Sequence, residues 1–325
     1  MSEGHVANEM RERIRQDLSL QQARTGISAA QLLCWWGISR STFYGWSTQI
    51  PTPSRRYNPA TVLPEEEQAV IEFRRLHREV GYRKLCWLMN DADVVALSEP
   101  AVYKLLSKHN LLGPWNAKSS DAASEYQHKP SKVHEHWHTD IAYVKVAGIF
   151  YFLIMMLDGY SRYVLDWELM SDMTSRSVED FLQRVRERYP LANPKLIHDN
   201  GSAFVSRDFK ALVSRLGITS VHTRRNHPET NGKIERLNGT VRQEALRVTP
   251  PTSFVDAQQV IGDFVTVYNH QRLHQGINFL RPADMFLGRD KQILGQRKRR
   301  LESSRAARIL KNKQLKEAEL SKVLH

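Results

Sequence analysis

The sequence predicts a chain of several domains, with all-α units at the front and an α/β unit on a mixed sheet behind them. Three observations lead there. At 325 residues the chain exceeds one average domain. Apolar residues recur at helical spacing as far as about residue 115, and runs rich in β-branched and aromatic residues take over from about His134. Two stretches read as linkers, the proline-bearing 51–62 and the small, polar 116–133. A hydrophobic fraction of 41% with 7 Trp, 11 Tyr and 11 Phe suffices for a packed core and argues against wholesale disorder.

Residues 1–50 form the first helical domain. In "SAAQLLCWWGISRSTFYGW" (28–46) an apolar helix breaks at Gly37, and Ser39 N-caps a second short helix. This is helix-turn-helix spacing, with Arg40, Ser41, Thr42 and Tyr44 presented by the second helix. Residues 63–115 form a second such domain. "PEEEQAVIEFRRL" opens acidic and turns basic, as the helix macrodipole favours. Beyond it Ser98 is an N-cap and Pro100 sits in the first turn of a helix presenting Tyr103, Lys104 and Lys108, the two lysines on one face. Taken alone, the first unit reads equally well as a generic helical hairpin. Two in tandem on a basic chain point to DNA.

Residues 134–248 make the α/β unit. Three strands run through 138–170, with breaks at Ala147–Gly148 and Asp158–Gly159. An amphipathic helix over 174–189 turns Val178, Phe181, Leu182 and Val185 inward. "KLIHD" is a short strand ending at Asp199, "FVSRDFKALVSRLG" a helix stopped by Gly217, and "ITSVH" a fifth strand. A polar loop leads into a helix containing Glu235. Three antiparallel strands followed by helix, strand, helix, strand and helix make a mixed sheet with helices packed on it. Residues 249–288 add a helix, a turn and a short Pro-led helix. The basic tail, 289–325, lacks a wide apolar stripe and is expected to order only on DNA or to stay flexible.

A net charge of +12 and a pI near 9.7 favour a polyanionic partner, and the tail alone carries 12 Lys and Arg against 4 Asp and Glu. Two cysteines cannot build a disulfide framework or a zinc site alone, and they fit a reduced, intracellular setting. Cys34 and Cys86 lie in helix-like apolar runs and read as core, as do Trp35, Trp36 and Trp46. No run approaches the roughly 18 apolar residues of a membrane helix. The polar start lacks the apolar segment of a signal peptide.

Three acids stand apart in this basic chain. Asp140 lies in the first strand, Asp199 at the end of the fourth, and Glu235 in the helix after the fifth, with 35 residues between the last two. In a hairpin-led mixed sheet the first and fourth strands can be neighbours, and a helix on the same sheet can bring Glu235 beside them. Converging carboxylates repel and hold protons unless a cation neutralises them. Mg²⁺ is a hard ion that favours oxygen ligands and keeps water positions open for phosphate. Two such ions, roughly 3.5–4 Å apart, clamp the attacking and leaving oxygens of an in-line displacement. Ile234, Leu237, Val241 and Ala245 give the Glu235 helix an apolar stripe. Its other face carries Asn231, Asn238, Gly239 and Arg242, groups suited to a phosphate backbone, although a solvated surface face is the plainer reading.

"HTDIAY", "LIHDNGSAF" and "HPETNGKIERLNGTVRQEAL" closely resemble the catalytic core of retroviral integrases and of the related bacterial insertion-sequence transposases, whose acid spacing also matches. The resemblance covers about Trp137 to Phe286 and includes "VYNHQRLHQGINFLRPADMF". It implies a multidomain chain with a ribonuclease-H-like α/β catalytic core, N-terminal helix-turn-helix domains and a basic C-terminal region. Asp140, Asp199 and Glu235 become the catalytic, metal-holding triad, with Mg²⁺ as cofactor and Mn²⁺ tolerated. Asn200 and Gly201 match the turn after the second acid, and Arg224–Thr230 the mobile active-site loop. Asn231, Lys233, Asn238 and Arg242 match positions that line DNA. The implied activity is a DNA transposase that binds an element's terminal repeats, cuts a strand and joins the 3′-hydroxyl to target. The implied partners are double-stranded DNA, both element ends and target, and further copies of this chain in a dimer or larger assembly. The implied setting is bacterial cytoplasm, at the nucleoid. Retroviral relatives carry a His/Cys zinc domain, which two scattered cysteines rule out here, so end recognition falls to the helix-turn-helix units.

Other candidates read more plainly. His134, His136 and His138 alternate along one strand face, where solvation of a strand edge is favoured over metal binding. His198 points to the opposite sheet face from Asp199 and reads as a core residue or as one that supports the site from behind. Asp158, Asp166 and Asp172 read as turn or surface acids.

Overall fold

The computed structural model describes residues 8–48, 58–113, 129–199, 201–222 and 232–323. They fall into two compact units, residues 1–61 and 62–325.

The first unit holds α1 (Asn8–Thr25), α2 (Ala29–Trp35) and α3 (Arg40–Thr48). Leu18, Leu32, Leu33 and Phe43 form its core. Ser39 accepts the Thr42 N–H and so caps α3 where the sequence put it, and Ser28 caps α2 by accepting the Gln31 N–H. Gly37 turns the chain between α2 and α3 at φ +68°, a left-handed conformation that favours glycine. Three core assignments are corrected. Trp35 and Trp36 are 69% and 39% exposed, and Cys34 is exposed too, because α2 spends its buried face on Leu32 and Leu33.

The second unit begins with α4 (Pro64–Leu76), α5 (Tyr82–Asp91) and α6 (Glu99–Lys108) around Val70, Leu85, Met89, Val102 and Leu106. Cys86 is buried there, its Sγ–H donating to the Leu97 carbonyl. Pro100 lies in the first turn of α6, whereas Ser98 holds the N-cap position without a capping bond.

The sheet follows, built from β1 (His136–Val146), β2 (Ile149–Asp158), β3 (Val164–Met170), β4 (Lys195–His198) and β5 (Thr219–His222). Its order is β3-β2-β1-β4-β5, antiparallel from β1 to β3 and parallel from β1 through β4 to β5. That is the ribonuclease-H-like mixed sheet. Ala147 and Gly148 both take positive φ, +48° and +88°, the primed hairpin geometry that matches strand twist. Asp158 closes the β2–β3 turn by accepting from the backbone N–H groups of Tyr160 and Ser161 and from the Ser161 hydroxyl. It is fully buried, and of the two readings it is the turn acid and not the surface one. Asp166 is neither a turn nor a surface acid, since it lies in β3 with its side chain only 11% exposed, paired with Arg184 and Arg188.

Helices cover both faces. On one, α7 (Ser175–Arg188), α8 (Ser202–Val205) and α9 (Arg207–Arg215) bury Phe181, Leu182, Phe204, Phe209 and Leu212 against Trp137 and Leu196. On the other, α10 (Gly232–Val241) and α11 (Phe254–His270) bury Ile234, Leu237, Val241, Ile261 and Phe264 against Val144, Leu153 and Met155. A π-helical turn, Arg242–Leu246, extends α10. The Asn269 amide ties α11 to β3 by bonding both backbone groups of Val164, at 2.9 and 3.0 Å.

After α12 (Pro282–Phe286), the tail is a single helix, α13 (Asp290–Val323), which corrects the expectation of order only on DNA. Guanidinium groups anchor it instead of an apolar stripe. Arg297 is 3% exposed, grips Asp91 with two bonds at 2.8 and 2.6 Å, donates to the carbonyls of Asn278 and Phe279, and stacks over Trp87. Arg308 bonds Glu66 and the Ala96 carbonyl, Arg300 the Asn90 carbonyl, and Lys311 pairs with Glu65. Among the described residues no helix is long and apolar enough to cross a membrane.

Candidate active site

Strand register brings two of the acids together. In the parallel β1–β4 pair His138 lies opposite Ile197, so Asp140 and Asp199, each two residues further on, share one level and one face. That face is the one α10 covers. The stripe Ile234, Leu237, Val241 and Ala245 is buried as its spacing predicts, and this turns Asn238 inward with it while Glu235 stays exposed. Asn238 Nδ2 donates to Asp140 Oδ2 at 2.9 Å. Its Oδ1 is buried with no hydrogen-bond partner among the described residues. Asp199 Oδ1 accepts the Gly201 N–H at 3.0 Å, and a Cβ on Gly201 would stand only 3.1 Å from that oxygen.

The three acids share one electrostatic field. The Asp140 carboxyl is pushed up to about 6, first by burial, then by the charge of Asp199 and, more weakly, of Glu235. The N–H of Ile141 and the Asn238 amide oppose the rise without cancelling it. Among the described residues no three acidic, histidine or cysteine side chains are already gathered as ligands round one point. The donor set nonetheless suits a hard divalent cation, being all carboxylate oxygen with negative charge in excess.

The neighbouring histidines do structural work. His198 is buried, its ring nitrogens bonded to the Asp199 carbonyl and the Ser220 hydroxyl, with the ring stacked on Phe204, as a core reading requires. His136 and His138 are also buried, so strand-edge solvation is corrected. His134 precedes the strand and accepts from Trp137 Nε1, so the three imidazoles do not line one strand face.

The other predicted site residues lie on three helices. Arg40, Ser41, Thr42 and Tyr44 are exposed on α3, with the Ser41 and Thr42 hydroxyls bonded to Ser39. Tyr103, Lys104 and Lys108 are exposed on α6, where Tyr103 packs edge-on to Tyr82 and Lys108 pairs with Glu67 at 2.7 Å. Lys233 lies on α10 and the exposed Arg242 opens the π-helical turn. Asn200, the loop Arg224–Thr230 and Asn231 lie outside the described residues. Sequence reasoning gave Asn238 to DNA and missed its bond to Asp140, which no spacing could have shown across 98 residues.

Known proteins are similar to this chain over the sheet and the helices that cover it. Two family models described as "Integrase core domain" match residues 130–228 and 216–282. The transposase for insertion sequence element IS904 of Lactococcus lactis is 27% identical over 157 residues, 48% of this chain and 61% of that protein. This chain thus spans about three fifths of that relative's length. A putative transposase for IS986/IS6110 of Mycobacterium tuberculosis is 24% identical over 224 residues, 63% of this chain and 80% of that protein. Among solved structures, the HTLV-2 integrase catalytic core domain in complex with magnesium is 20% identical, covers 48% of this chain and 98% of its own, and has a TM-score of 0.38.

Proposed function

We propose that this chain, which belongs to the DDE transposases of the integrase superfamily, binds the terminal repeats of a mobile DNA element and catalyses Mg²⁺-dependent strand cleavage and 3′-hydroxyl strand transfer. The observation that carries the reading is Asp140, half-buried, held by Asn238 and raised by the charges of Asp199 and Glu235. Such a site is destabilised while empty and is relieved by a cation. Asp140 and Asp199 would hold metal, with Glu235 completing the set. Bound Mg²⁺, or Mn²⁺ in its place, supplies charge neutralisation for a phosphodiester and acidifies a bound water. Asn238 fixes which way the Asp140 oxygens point, and the Gly201 N–H does the same for Asp199. In cleavage, water attacks phosphorus as the bond to the 3′ oxygen breaks, leaving a 3′-hydroxyl. In transfer, that hydroxyl attacks a target phosphodiester in line and displaces another 3′ oxygen. No serine or tyrosine nucleophile takes part.

Recognition of element ends belongs in this proposal to two helix-turn-helix domains, 1–50 with Arg40, Ser41, Thr42 and Tyr44, and 63–115 with Tyr103, Lys104 and Lys108. Asn231, Lys233, Asn238 and Arg242 would meet DNA near the acids of the 134–248 core. Two ends must be held at once, so the working species is a dimer or larger, at the bacterial nucleoid. The test is incubation with labelled DNA carrying the element's own ends, in Mg²⁺ or EDTA, beside Asp199→Asn. Mg²⁺-dependent nicks and longer joined strands, both lost in the variant, support the reading. Nicks without joining would make the protein a nuclease, and specific binding without cleavage would make it a regulator.

A further inference from the structure

Asp199 is the first residue past β4, and both parallel pairings have stopped before it. The register with β5 ends at His198 opposite His222, and the register with β1 ends at Ile197 opposite His138. The Asp199 carbonyl is bonded instead by the ring of the preceding residue, with His198 Nδ1 at 2.7 Å. A carbonyl only accepts, so Nδ1 carries the proton and donates. The Nε2 of a neutral ring then accepts from the Ser220 hydroxyl on β5, at 2.8 Å.

The ring is also fixed on its faces and edges. It is fully buried, stacked on Phe204 of α8 with centroids 5.0 Å apart and planes at 30°, and edge-on to Phe209 of α9 at 5.6 Å. Phe204 backs Gly201 as well, where a Cβ would stand 3.4 Å from its Cδ2 and 3.1 Å from Asp199 Oδ1. Gly201 in turn donates its N–H to that carboxylate oxygen at 3.0 Å. Asp199 is thus held at two points, the carbonyl by His198 and the carboxylate by Gly201. Two fixed points on one residue set the torsions between them, and with them the direction of the carboxylate. A residue needed only to fill the core would not have to be histidine. Leucine or phenylalanine fills such a place with no nitrogen to satisfy, whereas one nitrogen of His198 is spent on the peptide of a site acid.

We propose that His198 is a positioning residue for the metal site: its Nδ1 bond to the Asp199 carbonyl sets the direction of the Asp199 carboxylate, and Ser220 anchors the far side of the ring. The proposal rests on the reading of Asp199 as a metal ligand. Groups that orient a ligand from behind set metal affinity by a factor of roughly 10–100.

The test is a Mg²⁺ titration of the full chain without DNA, read as the rise in unfolding midpoint, on the wild type and three variants. His198→Asn carries an amide nitrogen where Nδ1 stands and keeps the bond to the carbonyl. His198→Gln reaches Ser220 instead, and His198→Phe keeps only the stack. The Gln and Phe variants should need about tenfold more Mg²⁺ for the same rise, and the Asn variant should stay within about threefold of the wild type. A role in packing alone would change the midpoint in EDTA and leave the metal response of every folded variant intact. If His198→Phe fails to fold, the Asn and Gln variants, which differ by one methylene, still decide. An equal Mg²⁺ response in those two, whether both match the wild type or both are weak, overturns the positioning role alone. A wild type whose midpoint ignores Mg²⁺ overturns the metal reading of Asp199 and the role of His198 with it.

Discussion

At Asp140 burial and two like charges act in the same direction, and the consequence is a stability that falls as pH rises. Its folded pKa of about 6 lies above the ordinary aspartate value of 3.8, so between these limits the native state binds the extra proton. Stability is therefore lost as pH climbs through that window, and at pH 7.5 without metal the ionised carboxylate costs about 1–3 kcal/mol. Asp140→Asn should then raise the unfolding midpoint in EDTA at pH 7.5 while abolishing activity. Mg²⁺ should raise the midpoint of the wild type in a concentration-dependent way and leave the variant's unchanged. Calorimetry with and without Mg²⁺ reads both, and an equal metal response in the two proteins would remove Asp140 from the metal site. The cysteines offer a simpler residue-scale contrast. Burial pushes the Cys86 thiol up to about 12, whereas Cys34 is exposed. A thiol reagent at pH 8 should add one group to the native protein, at Cys34, and two to the unfolded chain, a difference that mass spectrometry resolves.

Among the elements, α10 couples stability to chemistry because one helix carries both the buried stripe and two residues at the site. Leu237→Ala should cost about 2–5 kcal/mol in urea unfolding, as other buried leucines do. It should also weaken the Mg²⁺-induced gain in stability, since Asn238 and Glu235 ride on the same turns. Arg242→Ala, on the exposed side, should stay within about 0.5 kcal/mol. A Leu237→Ala protein with a full metal response would show that the helix is not what positions the site. The strands, α7, α10 and α11 were legible in sequence because each buries a face at its own period, and the acids were legible because they interrupt a basic chain. What escaped depends on partners remote in sequence. Asn238 finds Asp140 only through the fold. The buried His136 and His138 look like edge residues until β1 becomes the central strand. Trp35 and Trp36 looked like core because tryptophan is apolar, but a seven-residue helix has only one buried face and Leu32 and Leu33 occupy it.

For the whole molecule, the decisive element is the one whose sequence promised least. α13 has no apolar stripe, yet Arg297 and Arg308 are as buried as core leucines, and they link it to α4, α5 and the loop at Asn278 and Phe279. Four of the tail's cations thus pair within the chain, Arg297 and Arg308 in buried pairs with Asp91 and Glu66 and Arg300 and Lys311 in exposed ones with Asp93 and Glu65, leaving less positive charge for DNA than composition suggests. Removing one partner of a buried pair strands the other, so Arg297→Ala should destabilise residues 62–325 by about 3–5 kcal/mol. The exposed Lys298→Ala should do almost nothing. Ending the chain at Gly288 should leave Asp91 and Glu66 unpaired together. Limited proteolysis should then cut within 62–113 of the truncated protein under conditions where the full chain resists, while the sheet stays protected. DNA binding separates this strut from a free basic arm. A flexible arm would lose affinity on truncation with no change in protease resistance, whereas a strut loses the helical layer first and affinity as a consequence.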